Sequence, residues 1–313
     1  MKFIVAGALG HIGSRLIRDL PVLFPGCSII MIDNMLTQRY CSLFNLPDGA
    51  HYKFIESDIL NMELDDILGG ADVVFQLAAI TNAAGSFQMK EQVEHNNFNA
   101  TRKIAETCAK FDLPLIHLSS TSVYGTQNEV VDEFCSADEL KPQSPYAETK
   151  LKEERFLQEL GRERKLRFVT LRFGTICGIS PGMRFHTAVN KFCWQAVMRQ
   201  PITVWRTALH QKRPYLTLSD AMSAFNFIIK SKIYDREVYN VLSDNLTVND
   251  IILYIRSYID DITIEYVDSK IMNQLSYEVS KKRIEGKGLN FEGKIEQSIS
   301  ETIRLLEKAG QRP

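Results

Sequence analysis

Apolar runs rich in β-branched residues alternate with longer amphipathic segments through the first half of the chain. The runs at 2–6, 28–32, 53–56, 73–77, 115–119 and 167–173 read as strands. Between them, the segments at 12–20, 63–68, 91–111 and 145–160 read as helices with one apolar face, and Gly161 reads as the stop of the last. Strands that alternate with helices need crossover connections. The pattern therefore predicts an α/β fold, a parallel sheet with helices on both faces.

The pattern loosens after Phe173. Gly174, Gly178, Pro181, Gly182, Pro201 and Pro214 punctuate short segments. A further strand and helix follow at 214–218 and 220–230, then amphipathic helices at 248–260 and 294–308. No internal repeat or low-complexity linker interrupts the chain. The expected organisation is a sheet domain over 1–173, rejoined by 214–242. A smaller lobe would then be assembled from 174–213 and 243–313.

Composition narrows the field only by exclusion. At 313 residues, 45% hydrophobic and 24% charged, the chain is an ordinary soluble globular sequence with room for two lobes. A formal charge of −1 gives no basic surplus for nucleic acid, so any anion must be held by local groups. The six cysteines form no C-x-x-C pair and have no histidines at ligand spacing, so no metal is expected. They read as reduced thiols. The opening MKFIVAGALG is apolar, but glycines break it early, and no longer apolar stretch follows. It reads as the first strand of a cytoplasmic protein that does not enter a membrane.

Two constellations carry chemistry. The first strand runs into Gly7-Ala8-Leu9-Gly10-His11-Ile12-Gly13 and then a helix. Glycines there allow a tight turn, close backbone approach to a pyrophosphate and close helix packing. The free N–H groups of the helix start, with its dipole, suit phosphate. The second strand ends in Asp33, 20 residues after Gly13 (33 − 13), a spacing that suits hydrogen bonds to the adenosine ribose. A carboxylate there would repel an additional phosphate, and no arginine immediately follows it. The expected cofactor is NAD, held in a Rossmann-like, doubly wound sheet.

The second constellation is Leu118-Ser119-Ser120-Thr121-Ser122-Val123-Tyr124-Gly125 at a strand end, with Ser144-Pro145-Tyr146-Ala147-Glu148-Thr149-Lys150 opening a helix. Tyr146 and Lys150 are four apart and share a helix face. A tyrosine with its ordinary pKa near ~10 is no base at neutral pH, and a lysine ammonium beside it favours the phenolate. Ser120 can orient the same substrate hydroxyl while Tyr146 takes its proton and the hydride leaves for NAD.

These motifs make the chain resemble the extended short-chain dehydrogenase/reductase family, in its NAD-dependent epimerase/dehydratase branch acting on nucleotide sugars. The resemblance runs nearly end to end. It is carried by GALGHIG, Ile32-Asp33-Asn34, Ser57-Asp58-Ile59, Phe75-Gln76-Leu77-Ala78-Ala79 and Asn97 to Thr101. It continues through SSTSVYG, SPYAETK, and Arg213-Pro214-Tyr215 leading to Asp220-Ala221. It implies a smaller C-terminal substrate-binding lobe and Ser120, Tyr146 and Lys150 as catalytic residues. Gly7, Gly10, His11, Ile12, Gly13, Asp33 and Asn34 would hold the cofactor. Asp58, Ile59, Leu77, Ala78, Ala79 and Asn97 would complete its site, with Tyr146 and Lys150 touching it as well. Arg213 would bind the substrate diphosphate, a task a guanidinium fork suits. The loop from Gly178 resembles a substrate loop, which brings in Arg184 and Asn190; Thr81, Ser120 and Thr175 complete the substrate candidates.

Three departures from the family pattern stand out. Gln76 stands where histidine is frequent. Thr175 stands where an asparagine usually contacts substrate, and a hydroxyl donates one hydrogen bond where an amide donates two. Thr121 and Ser122 stand where many 4,6-dehydratases carry Asp-Glu as acid and base, so water elimination has no evident proton carrier. The expectation is a nucleotide-sugar 4-epimerase, with a 4-dehydrogenase or ketoreductase as runner-up. A dehydratase, or a binding protein that kept only the fold, ranks lower. The resemblance also implies a homodimer through the helices at 91–111 and around Tyr146, held by Phe98, Ile104, Leu151 and Phe156.

Overall fold

The computed structural model describes residues 1–81, 87–125, 127, 130–136, 138–268 and 276–310. In chain order the first part contains β1 (Lys2–Ala6), α1 (His11–Leu23), β2 (Cys27–Asp33), β3 (Ala50–Glu56), α2 (Asp65–Leu68) and β4 (Val73–Gln76). Then come α3 (Lys90–Lys110), β5 (Leu115–Ser120), β6 (Val130–Val131), α4 (Pro145–Arg164), β7 (Phe168–Phe173) and β8 (Thr175–Cys177). The rest holds α5 (Ala188–Val197), β9 (Ile202–Trp205), β10 (Lys212–Thr217), α6 (Leu218–Ser231), β11 (Val238–Val241) and β12 (Asp244–Thr247). It closes with α7 (Val248–Arg256), β13 (Ile264–Val267), β14 (Glu278–Val279), α8 (Lys282–Glu285) and α9 (Ile295–Leu306).

Seven strands form the main sheet in the order β11-β7-β5-β4-β1-β2-β3, every pairing parallel. The order reverses between β1 and β4, which makes the sheet doubly wound. Alternation along β1 shows why both faces are covered. Phe3 and Val5 join the core with Leu16, Ile17 and Leu20 of α1 and Phe225 and Ile228 of α6. Ile4 and Ala6 point the other way, to Ile104 and Cys108 of α3 and Leu157 of α4. A separate core joins α5, α7 and α9 around Val189, Ile251 and Ile299.

Several expectations change in detail. The strand predicted at 214–218 is β10, and it pairs with β8 and β12 in a three-stranded sheet of its own. The chain rejoins the main sheet through α6 and β11, and Ile284 of α8 and Leu289 pack on the same core. Gly161 does not stop α4; the helix runs to Arg164 and ends at Lys165 in the left-handed conformation, φ +57°. A Cβ on Gly161 would lie 2.9 Å from the Phe168 ring, so this glycine lets α4 sit closely on β7. The tail helix predicted at 248–260 stops at Arg256. Ile104 and Leu151 are buried in their own chain's cores, which removes both from the expected dimer contact. No helix among the described residues is long and apolar enough to cross a membrane.

Candidate active site

One cleft of about 450 Å3 opens at the carboxyl ends of the main strands. Gly7, Gly10, His11, Ile12 and Gly13 line it from the turn between β1 and α1. Gly7 has φ +78°, and a Cβ there would fall 2.6 Å from the Ala78 nitrogen. A Cβ on Gly13 would fall 2.3 Å from the Gly7 carbonyl oxygen. Only glycine fits either place. The amides of His11, Ile12 and Gly13 have no acceptor within α1, as at any helix start, and so are free for an anion.

Asp33 ends β2 on the same wall. Its carboxylate accepts the Leu9 and Met35 amides, each at 3.0 Å, which fixes it beside the turn. Asp58 accepts the Leu60 amide at 2.9 Å and the Asn34 amide group at 3.2 Å. Asn34, Asp58, Ile59, Leu77, Ala78 and Ala79 all line the cleft with Asp33. A glycine cradle, a helix N-terminus and a ribose-spaced carboxylate fit an adenine dinucleotide.

The chemistry would lie on the facing wall. β5 delivers Ser120 to the cleft, and Ser120 Oγ accepts from the Ser122 amide at 3.2 Å and the Ser122 hydroxyl at 2.9 Å. Ser144 caps α4 by accepting the Ala147 amide at 3.2 Å, and Pro145 occupies the first turn. That start sets Tyr146 in the cleft and Lys150 one turn below it, with Lys150 Nζ 6.0 Å from the Tyr146 ring centre. Lys150 is buried and donates to Glu153 Oε2 at 2.9 Å. Burial raises the Tyr146 phenol above its ordinary value, Lys150 and Arg184 pull it down, and Glu153 adds to the rise. The lysine therefore acts in the expected direction, and burial outweighs it.

Thr81, Thr175, Arg184 and Arg213 also line the cleft, joined by Arg39, His186 and Tyr277. Arg184 donates to the Thr81 hydroxyl, and Tyr277 meets Thr121 hydroxyl to hydroxyl at 3.4 Å. Nε and Nη2 of Arg213 are buried without an acceptor. Among the described residues no carboxylate forms an ion pair with Arg39, Arg184 or Arg213. Burial and Arg39 lower Arg184 to about 10, against a pull upward from Tyr146. His186 is lowered to about 4 by burial and by the Arg184 and Arg39 charges. Arg184 and Arg213 thus give the cleft unpaired cations, while its carboxylates Asp33 and Asp58 are held by backbone amides and by Asn34.

Asn97 and Asn190 do not line it. Asn97 exchanges two hydrogen bonds with the Ile80 backbone, at 2.8 and 3.0 Å, and so braces the chain after β4. Asn190 bridges the loop after β8, accepting the Gly178 amide at 3.3 Å and donating to the Arg184 carbonyl at 3.0 Å. Arg39, His186 and Tyr277 were not anticipated. Arg39 follows Asp33 by six residues, a signal within reach, whereas nothing near Tyr277 marks it as facing the cleft.

Comparison with known proteins gives one consistent family. The model of the NAD dependent epimerase/dehydratase family matches residues 3–241. The uncharacterized UDP-glucose epimerase YtcB of Bacillus subtilis is 29% identical over 251 residues, 77% of this chain and 76% of that one. The dTDP-D-glucose 4,6-dehydratase of Bos taurus is 26% identical over 319 residues, 96% of this chain and 87% of that one. The solved UDP-glucuronic acid 4-epimerase from Bacillus cereus, in complex with UDP-glucuronic acid and NAD, superposes with a TM-score of 0.85. Its sequence is 24% identical, and the match covers 99% of this chain and 100% of that one. With the match spanning the glycine turn, Asp33, Ser120, Tyr146 and Lys150, the chain belongs to the NAD dependent epimerase/dehydratase family.

Proposed function

We propose that this protein is an NAD-dependent nucleotide-sugar 4-epimerase. The observation that carries the reading is the joint presence, in one cleft, of the dinucleotide cradle, Ser120 with Tyr146, and Arg184 with the unsatisfied Arg213. Ser120 orients the sugar C4 hydroxyl, and Tyr146 takes its proton. NAD, when bound, supplies the hydride acceptor and later the hydride donor. Lys150 lends its charge to the Tyr146 phenolate and would help hold the cofactor. Arg213 and Arg184 bind the nucleoside diphosphate and the sugar, Arg184 braced by Thr81 and Asn190. Thr175 offers the sugar a hydroxyl. Among the cofactor contacts, Asp33 selects against an extra phosphate on the ribose.

The dehydratase named among the relatives is disfavoured by the residues after Ser120. Thr121 and Ser122 carry no carboxylate to move the protons of an elimination. UDP-sugars, named for the B. subtilis relative and the B. cereus structure, are the first substrates to try. Purified protein is incubated with UDP-glucose, UDP-glucuronic acid and UDP-N-acetylglucosamine. A C4 epimer formed without net NADH supports the reading. Stoichiometric NADH with release of a ketosugar replaces it with a 4-dehydrogenase, and no turnover of any nucleotide sugar sinks both.

The reading extends to a cytoplasmic homodimer. Phe98 of α3 and Phe156 of α4 are half-buried, Phe156 against its own chain's core, with rings 5.6 Å apart and edge to face and Lys152 Nζ 4.3 Å above Phe98. Aromatic and cationic surface of this kind suits a helix-pair interface. A monomeric mass by light scattering at micromolar concentration would remove it.

A further inference from the structure

The main sheet is polar where its position makes it interior. On the side facing α4, β5 and β7 place His117, Ser119, Thr170 and Arg172, each less than 5% exposed. Strands buried on both faces ordinarily read as apolar throughout. α4 meets this face with two adjacent buried carboxylates. Glu154 is fully committed: it binds Arg172 at 2.7 and 3.0 Å and accepts the Ser119 hydroxyl at 2.5 Å. Glu153 is held differently. Its Oε2 takes His117 Nε2 at 2.7 Å and Lys150 Nζ at 2.9 Å, while Oε1 has no partner. The ionised Glu153 carboxylate can only accept, which places the hydrogen of the neutral His117 ring on Nε2 and leaves Nδ1, 3.3 Å from the Thr170 hydroxyl, to accept.

Stability does not account for this arrangement. Taking a carboxylate and an ammonium out of water costs about as much as their attraction returns. The Arg172–Glu154 pair already joins α4 to the sheet. What distinguishes Glu153 is its place: it touches Lys150, the ammonium one helical turn from Tyr146, and neither Glu153 nor Lys150 lines the cleft.

We propose that Glu153, seated on His117, is a positioning residue that fixes the Lys150 ammonium and limits the charge Lys150 lends to Tyr146. This rests on the reading of Tyr146 as the group that takes and returns the sugar proton. A reaction that runs in both directions at one carbon needs that phenol in both forms. An unopposed lysine would shift the balance toward phenolate in both directions of the reaction. With Glu153 ionised, the trio Tyr146–Lys150–Glu153 is neutral while the phenol is protonated and negative once it is not. Without the carboxylate charge, and while Lys150 keeps its proton, the remaining pair is positive before the phenol proton leaves and neutral afterwards, so that proton leaves more easily.

The surrounding groups agree. Burial opposes the Glu153 carboxylate, and Lys150 and His117 more than offset it, so Glu153 stays ionised. Burial likewise opposes the Lys150 ammonium, and Glu153 restores it. Burial keeps His117 neutral against the pull of Glu153. Tyr146 is faced by Lys150 and Glu153 from α4 and by Arg184 from the substrate loop. Glu154 also bears on Lys150, but it is tied to Arg172.

The test reads Tyr146 directly and needs no substrate. Phenolate ultraviolet absorbance is titrated across pH for each protein and subtracted from that of its Tyr146→Phe counterpart, with and without NAD. Glu153→Gln keeps the shape and removes the charge, and should move the Tyr146 titration to lower pH. Glu153→Asp draws the carboxylate one methylene away from Lys150 and should move it in the same direction by less. Circular dichroism and thermal unfolding establish that each variant is folded. A folded Glu153→Gln protein that titrates where the unaltered protein does overturns the proposal, even if its activity has fallen, because packing alone would lower activity without moving the titration. If Glu153→Gln does not fold, the Glu153→Asp titration decides: a downward shift upholds the proposal and no shift overturns it. A shifted titration in a protein that turns over no nucleotide sugar upholds the link between Glu153 and Tyr146 and sinks only the epimerase reading.

Discussion

His11 Nε2 donates to the Gly178 carbonyl oxygen at 2.8 Å and ties the cofactor turn to the loop that holds Arg184. Ser180 Oγ reinforces the joint by donating to the His11 carbonyl at 2.8 Å, and Ser14 Oγ accepts the Gly182 amide at 2.9 Å. Burial lowers His11 to about 4, with the Gly178 bond pulling upward and Arg184 and Arg39 adding to the fall. The imidazole at this joint is therefore neutral at physiological pH.

That histidine gives a stability prediction with a definite sign. The unfolded chain takes up a proton near the ordinary value of 6.5, whereas folded His11 resists protonation until about 4. Within that window the unfolded state binds more protons, so stability falls as pH falls. Between pH 7 and pH 5 the loss for one such histidine is about 1–2 kcal/mol. His11→Gln, which keeps a donor but cannot titrate there, should flatten the dependence. Urea midpoints measured across this range would show it, and equal slopes for the two proteins would count against the assignment.

Tyr146→Phe should cut single-turnover reduction of bound NAD by about 10²–10⁴-fold, the range for loss of a general base. NAD affinity should barely change, because the ring still packs. Ser120→Ala should fall between this variant and the unaltered protein, since it removes orientation and leaves the base. A Tyr146→Phe protein reducing NAD at the original rate would assign the proton to another group.

Lys150→Met should weaken NAD binding and destabilise the fold, by about 3–5 kcal/mol, because it strands the Glu153 carboxylate among buried groups. Adding Glu153→Gln to it should recover most of that stability. Chemical denaturation of the two single variants and the double variant closes the cycle, and strictly additive effects would show that the two side chains do not interact.

Asp33→Ala should narrow the preference for NAD over NADP from both directions. It removes a carboxylate that would repel the second phosphate, and it leaves Arg39 on the same wall to attract one. NAD itself should bind less well, since the Leu9 and Met35 amides lose their acceptor. Calorimetric titration with both cofactors measures the ratio, and an unchanged ratio would clear Asp33 of the role.

Arg213→Ala should weaken nucleotide-sugar binding by about 10–100-fold, the usual worth of a charge-assisted contact, with NAD affinity preserved. Because Arg213 has buried donors without acceptors, the ligand-free variant should be no less stable than the unaltered protein. Equal affinities for UDP-glucose in the two proteins would exclude Arg213 from the substrate site.

Much of this was legible in the residues because the relevant signals are local. The strand–turn–helix at Gly7–Gly13, the carboxylate ending β2 and the Tyr146–Lys150 spacing each sit within a single stretch of chain, where periodicity and turn chemistry apply. Other features depend on pairing across the fold. β10 is as strand-like as its neighbours, and only contact with 175–177 and 244–247 takes it out of the main sheet. Gly161 has the composition of a stop, but Phe168, seven residues on, makes it a packing glycine. Asn97 and Asn190 could as well touch ligand as brace backbone, and an amide side chain does either with the same atoms. His117 and Ser119 did carry a signal, two polar residues at alternating positions in a strand that should be apolar on both faces. Their partners lie 36 and 35 residues away on α4 and could not be named from spacing.

The polar seam beneath α4 has a mechanical meaning as well. A helix laid on a sheet by aliphatic side chains alone can rotate or slide by a fraction of a turn and repack at small cost, since such contacts have little direction. Hydrogen bonds from His117, Ser119 and Arg172 do have direction, and they engage two successive residues of one helix turn. Together they act as a spline between shaft and hub: the helix keeps its angle and its travel, and Tyr146, two turns along, inherits both.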